Sequence, residues 1–192
     1  MIIGICGNSG SGKTTMAKII EQEIANGIHC DIDKIGHDVL KLPAVKEKLL
    51  IAFGQEVIID DIIDRKRLGM LVFNSDNAMK ILTDITWPYM EEMINQFIIK
   101  NKNNNIILDW ILLPKTKYFN MCDIKILVDV PYEIRKERAI KRDNITEEKF
   151  NIRDKASIEY DNSKFDLIVN DDVDKIRKLV KRYDKSFISG EF

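Results

Sequence analysis

The residues with the clearest chemical content stand at the start of the chain. A short apolar run, Ile2-Ile3-Gly4-Ile5-Cys6, leads into Gly7-Asn8-Ser9-Gly10-Ser11-Gly12-Lys13-Thr14-Thr15. From Gly7 to Thr14 the spacing is G-x-x-x-x-G-K-[ST], the pattern of a phosphate-binding loop. Glycines at these positions let the backbone curl until several N–H groups face one anion, and the following helix adds its positive end. Lys13 brings a mobile point charge to the β- and γ-phosphates, and the Thr14 hydroxyl can ligate Mg²⁺. A glycine-rich turn that merely joins two elements is the plainer alternative. The strand before and the helix after supply the context the motif requires. The stretch predicts binding of a nucleoside triphosphate.

Other candidate groups are carboxylates and guanidiniums. Asp31 and Asp33 follow a short strand, Ile28-His29-Cys30, and so fall at the carboxyl edge of a parallel sheet, where open α/β folds bind ligands. A carboxylate there can take a proton from an acceptor hydroxyl, although Asp33 could equally cap a helix. Asp109 ends the apolar strand Ile106-Ile107-Leu108, and reads as an acid near Mg²⁺ or as a turn residue. Arg135, Arg138 and Arg142 fall at i, i+3 and i+7 of one helix face. Like charges so placed repel unless an anion lies between them, or unless Glu133 and Glu137 neutralise them. Arg65 suits a phosphate of the acceptor, or an ion pair with Asp61 or Asp64. His29 and His37 belong to no ligand cluster, and Trp87 and Trp110 read first as packing residues near the acceptor region.

These groups need a frame. The 192 residues, 45% hydrophobic and 32% charged, fit one domain with an inserted subdomain. The expected fold is α/β, a three-layer sandwich with a parallel sheet. Its core would comprise residues 1–42 and 101–192, with a helical, acceptor-binding insertion at about 43–100. Expected helices cover residues 13–25, a segment from Pro43, residues 65–73, and a long run from Ser75 that Pro88 should kink or break. Further helices follow at 132–143, after Thr146, and through Val173, Ile176, Val180 and Tyr183. The net charge of −1 supplies no basic field for nucleic acid. Three scattered cysteines, Cys6, Cys30 and Cys122, read as buried fillers in a reducing compartment. With no signal peptide or membrane-spanning run, a cytoplasmic monomer acting on a small molecule is expected.

The ordered series of motifs resembles the dephospho-coenzyme A kinase family over nearly the whole chain. Asp31-Ile32-Asp33-Lys34-Ile35 is similar to the family's D-A-D-x-I. Phe53-Gly54-Gln55-Glu56-Val57-Ile58, Asp64-Arg65-Lys66-Arg67-Leu68, Val72-Phe73, Val128-Asp129 and the run from Arg138 to Arg142-Asp143 continue the match. The resemblance implies transfer of the ATP γ-phosphoryl group to the ribose 3′-hydroxyl of dephospho-coenzyme A. It also implies the P-loop NTPase kinase fold with a lid at about 138–164; Asp33 would then be the catalytic base, Lys13 and Thr14 would hold phosphate and Mg²⁺, and Arg138 and Arg142 would close over the phosphates.

Some positions depart from the family. Trp87-Pro88 replaces a usual His-Pro, and Asp109-Trp110-Ile111-Leu112-Leu113-Pro114-Lys115 replaces D-x-P-L-L-x-E. Residues 154–164 lack the usual glutamine and arginine of the lid, and Arg135 stands where glutamine is usual. The donor half is thus intact and the acceptor half altered. A kinase acting on another nucleoside or nucleotide, or a nucleotide-binding regulator without transfer activity, are the alternatives.

Overall fold

A computed structural model describes residues 1–155, 157–170 and 172–189, with side chains described through Arg182. The chain divides into two compact units, one of Met1–Asp31 with the residues from Asn101 onward, the other of Ile32–Lys100.

The first unit is built on a five-stranded parallel sheet ordered β2-β5-β1-β6-β7. Its strands are β1 (Ile2–Cys6), β2 (Gly27–Asp31), β5 (Asn105–Asp109), β6 (Ile124–Val128) and β7 (Leu167–Val169). The central strands carry apolar runs, Ile2–Cys6 in β1, Ile106–Leu108 in β5 and Ile126–Val128 in β6, as strands covered on both faces must. Helix α1 (Lys13–Glu23) lays Met16, Ala17 and Ile20 on the sheet, and α9 (Val173–Ser189) adds Ile176 and Val180 to the same core. Burying such an isoleucine contributes about 1.5–3 kcal/mol, so this cluster dominates the unit's stability. Tyr183, expected on the apolar face of α9, has its side chain outside the described residues. Helices α6 (Lys117–Asn120), α7 (Tyr132–Asp143) and α8 (Glu147–Asp154) complete the described helices of the unit. The Thr146 hydroxyl caps α8 by accepting from the Lys149 N–H at 3.3 Å, as its position predicts. Because β1 is the middle strand, the loop after Cys6 leaves the sheet between the ends of β5 and β6.

In the second unit, α2 (Ile32–Val39), α3 (Pro43–Phe53) and α4 (Arg65–Val72) pack on the long α5 (Asp76–Lys100). Of the kink or break expected at Pro88, the break does not occur: α5 runs unbroken through it. A helix-interior proline costs about 3 kcal/mol, but the same helix buries Thr86, Met90 and Ile94. Two such apolar side chains together outweigh the proline at about 1.5–3 kcal/mol each. The helical reading of residues 43–100 also missed a hairpin, in which β3 (Ile58–Ile59) pairs antiparallel with β4 (Ile62–Ile63). Its two turn residues, Asp60 and Asp61, have φ of 49° and 63°. That is the left-handed geometry of a two-residue hairpin turn, which aspartate tolerates better than most residues.

Candidate active site

The phosphate loop forms as its spacing predicts, and its geometry explains two of its glycines. Gly10 and Gly12 have φ of 80° and 92°, a region that other residues enter only with strain. A Cβ on Gly10 would also collide with the backbone of Arg135. Gly12 precedes α1 as its N-cap residue, so the free N–H groups of the first turn point back towards the loop. Lys13 and Thr14 occupy that turn and are partly exposed, Thr15 is exposed, and Ser11 is buried with its hydroxyl lacking a hydrogen-bond partner.

Beneath the loop lies a buried carboxylate. Asp109 closes β5 in register with Ile5 on one side and Asp31 on the other. It is 1% exposed, and its Oδ1, 3.8 Å from the Lys13 ammonium, has no hydrogen-bond partner. The other oxygen, Oδ2, lies 3.2 Å from His29 Nε2. His29, expected to be an ordinary residue, thus stands against a candidate site acid. Its neighbour in register is Ile107, and no spacing rule in the sequence links positions 29 and 109. The three cysteines pack nearby as free, buried thiols. Burial pushes the thiols of Cys30 and Cys122 up to about 12, and that of Cys6 higher still, so they are neutral fillers.

The arginines of α7 separate into three situations. Arg138 reaches the loop, its Nη1 lying 4.0 Å from the position a Cβ on Gly12 would take. Arg142 is exposed and gives both Nε and Nη2 to Asp143, at 2.8 and 2.9 Å. These bonds, helped by Arg153, hold the Asp143 carboxyl down at about 2. Arg135 is buried: its Nε donates to the Val130 carbonyl at 3.1 Å, and its Nη1 to the Ser9 carbonyl at 3.0 Å and to Asp154 at 2.7 Å. Sequence reasoning gave Arg135 no role, and its shared face with Arg138 was the only signal. The expected neutraliser Glu133 pairs instead with Lys136.

In the second unit Asp33 is exposed in the first turn of α2, within the helix rather than capping it. Arg65 opens α4, and its Nη2 lies 2.6 Å from His37 Nε2. The alternatives of an Asp61 or Asp64 ion pair fall away, since Asp61 pairs with Lys46 and Asp64 caps α4 at the Arg67 N–H. Arg65 and His37 line a cleft of about 240 Å³ together with Lys34, Lys41, Ile62 and Ile63. Its cations outnumber its one acid, Asp38, which is held by Lys41. Such a cleft suits an anion. Trp87 is half-buried on α5, and Trp110 is buried as a packing residue.

Among the described residues no cluster of three or more His, Cys, Asp or Glu has metal-binding geometry, and no helix is long and apolar enough to cross a membrane.

Comparison with known proteins places the chain in one family. Residues 1–177 match the family model described as dephospho-CoA kinase. A dephospho-CoA kinase of Fusobacterium nucleatum is 30% identical over 189 residues, covering 95% of this chain and 96% of its own. One from Aquifex aeolicus is 35% identical over 155 residues, covering 79% and 77%. Among solved structures, TT1252 from Thermus thermophilus shares the fold with a TM-score of 0.79 at 22% identity, over 100% of this chain and 98% of its own. With the motif series, the phosphate loop and a match reaching from the first strand into the last helix, the chain belongs to the dephospho-CoA kinase family.

Proposed function

We propose that this enzyme transfers the γ-phosphoryl group of ATP to the ribose 3′-hydroxyl of dephospho-coenzyme A, the last step of coenzyme A synthesis. The observation that carries the reading is the family match over residues 1–177. In the transfer, a bond forms between the acceptor oxygen and the γ-phosphorus while the bond to the β-phosphate bridging oxygen breaks. The hydroxyl proton passes to a base.

Asp33 is that base, an exposed residue in the first turn of α2. The loop amides of residues 7–15, with Asn8, Ser9 and Ser11 among them, cradle the triphosphate, and Lys13 neutralises its outer phosphates. Arg138 stabilises the charge that spreads over the transferring group, and Arg142 adds to it once released from Asp143. Arg65, in the cationic cleft, takes a phosphate of the acceptor, and Trp87 borders the same substrate. Residues 43–100 thus serve the acceptor and residues 138–164 act as the lid.

Magnesium fits the donor set. Hard oxygen ligands suit it, and it commonly uses one or two carboxylates with substrate phosphates and water. Asp109 offers a buried oxygen with no hydrogen-bond partner, and Thr14 a hydroxyl in the first turn of α1. These two residues would hold the ion, which when bound would neutralise charge on the triphosphate.

The test is ADP release from ATP, measured with dephospho-coenzyme A and with a panel of nucleosides, nucleotides and other metabolites. Stimulation well above background by dephospho-coenzyme A is expected. Stimulation by another acceptor alone would overturn the assignment. So would silence from every acceptor while ATP still binds.

A further inference from the structure

Three consecutive residues of the phosphate loop are tied to distant parts of the chain, Gly7 to Tyr160, Asn8 to Ile158 and Ser9 to Arg135 of α7. The Gly7 N–H donates to the Tyr160 hydroxyl at 3.1 Å, and that hydroxyl donates in turn to the Ile111 carbonyl at 3.1 Å. The Asn8 amide bonds both backbone groups of Ile158, donating from Nδ2 at 3.2 Å and accepting at Oδ1 at 3.1 Å. Ser9 is reached by Arg135, as described above. None of these ties is a chain-local turn; they span 126 to 153 positions of sequence.

Arg135 is the strongest of them. A cation that is 7% exposed must find partners for its charge and its donors. Its Nη1 shares its hydrogens between the Ser9 carbonyl and Asp154 Oδ1, which also accepts from the Ser157 hydroxyl at 2.5 Å. Burial acts to raise the Asp154 carboxyl, and the bonds from Arg135 and Ser157 overcome it and lower it. The pair is therefore an ion pair, and charge-assisted bonds are the stronger kind.

What Arg135 holds is a peptide plane. In a trans peptide the carbonyl and the next N–H point opposite ways. Fixing the Ser9 carbonyl on Arg135 therefore turns the Gly10 N–H away from it. The backbone of Arg135 stands against Gly10 on the same side, leaving no room for a Cβ. One residue thus sets the loop from outside with its side chain and its main chain.

We propose that Arg135 is a positioning residue for the donor nucleotide: held by Asp154, it fixes the Ser9–Gly10 peptide and so the direction of the loop N–H groups. The effect rests on the reading that this loop binds ATP. It acts on donor affinity and leaves the acceptor alone, whereas a purely structural arginine would lower stability without this split.

The test uses the full chain and measures ATP affinity by calorimetry, the KM values for ATP and dephospho-coenzyme A, and melting temperature. Arg135→Met, which keeps length and removes the charge and every donor, should raise the ATP Kd and KM by about tenfold or more, the loss of one charge-assisted bond network, with the acceptor KM within about twofold. Arg135→Lys should recover part of that loss, because an ammonium can still bond the Ser9 carbonyl. If Arg135→Met does not fold, Asp154→Asn carries the test, keeping size while removing the countercharge. It should raise the ATP Kd by about threefold or more, since the charged partner strengthens the bond. An ATP Kd within about twofold of the parent in the folded variants overturns the inference, whatever the melting temperature does. A parallel rise in acceptor KM overturns it too. A parent protein that does not bind ATP would overturn the donor reading itself.

Discussion

The phosphate loop and the cationic cleft of the second unit present charge to a ligand in opposite ways. The loop relies on backbone N–H groups and a helix terminus, braced by buried partners such as Arg135 and Asp109. The cleft relies on side chains at the surface: Lys34 and Arg65 are exposed, as is Asp33 nearby in sequence. Backbone dipoles fixed before a ligand arrives need no reorganisation when charge develops. Long exposed side chains lose rotamer freedom on binding, and their charges are screened until water leaves. On the proposed reading, the donor triphosphate is recognised by architecture and the acceptor by side-chain identity.

That contrast can be broken first at Asp33. Asp33→Asn should lower turnover by about 10²–10⁴-fold, or roughly 3–5 kcal/mol of barrier, with ATP affinity nearly unchanged. Since Asp33 sits inside the first turn of α2, the change also removes a favourable helix-dipole contact of about 0.3–1 kcal/mol. A small fall in melting temperature is thus expected and is not evidence of a structural role. Asp31→Asn should cost much less turnover. Near-normal turnover in Asp33→Asn removes the base.

A matched pair of truncations sharpens the donor–acceptor division. Lys13→Ala should lower kcat by about 10²–10³-fold and weaken ATP binding, because it removes charge stabilisation of the transferring group. Arg65→Ala should instead raise the acceptor KM by about 10–100-fold, the range of a lost hydrogen bond to a charged group, while ATP KM holds. Steady-state kinetics with each substrate varied in turn would decide it. Equal effects on both KM values from either change would collapse the distinction.

The smallest effect concerns the outer end of α7. Asp143, held at about 2 by Arg142 and Arg153, has a folded value below the ordinary 3.8 of a free carboxyl. A depressed carboxyl stabilises the folded state above its unfolded value and loses that contribution as pH falls through its folded value. Part of the acid loss of stability should therefore fall between pH 3.8 and about 2. In Asp143→Asn melting curves over that window should be flatter than in the parent. Saturating ATP in the parent should change the same window if Arg142 leaves Asp143 for phosphate. An identical pH dependence in Asp143→Asn rules out the contribution.

Much of this frame could be read directly from residue order. The loop, α7 over 132–143, the Thr146 cap and the strand ending at Asp109 follow from local chemistry: glycine spacing, a capping hydroxyl, apolar runs ended by polar groups. The misses have a different origin. Pro88 marks a helix end by propensity, and only the packing around Met90 and Ile94 overrides it. Ile58-Ile59-Asp60-Asp61-Ile62-Ile63 did carry a hairpin signal, hidden because aspartate rather than glycine holds both turn positions. The pairing of His29 with Asp109 and the grip of Arg135 on Ser9 join positions far apart in sequence. No periodicity encodes a contact made by topology.

The distribution of thiols has a practical corollary. All three cysteines are buried fillers, none reactive while its surroundings stay closed, and residues 32–100 contain no cysteine. Every site that a thiol reagent could modify therefore lies in the sheet-bearing unit, at Cys6 and Cys30 in the two strands that flank β5 and at Cys122 just before β6. Modification under native conditions then runs only as fast as that unit opens, and the helical unit is silent. The protein carries its own clock for the breathing of its nucleotide-binding half, readable without a label, an engineered residue or a substrate.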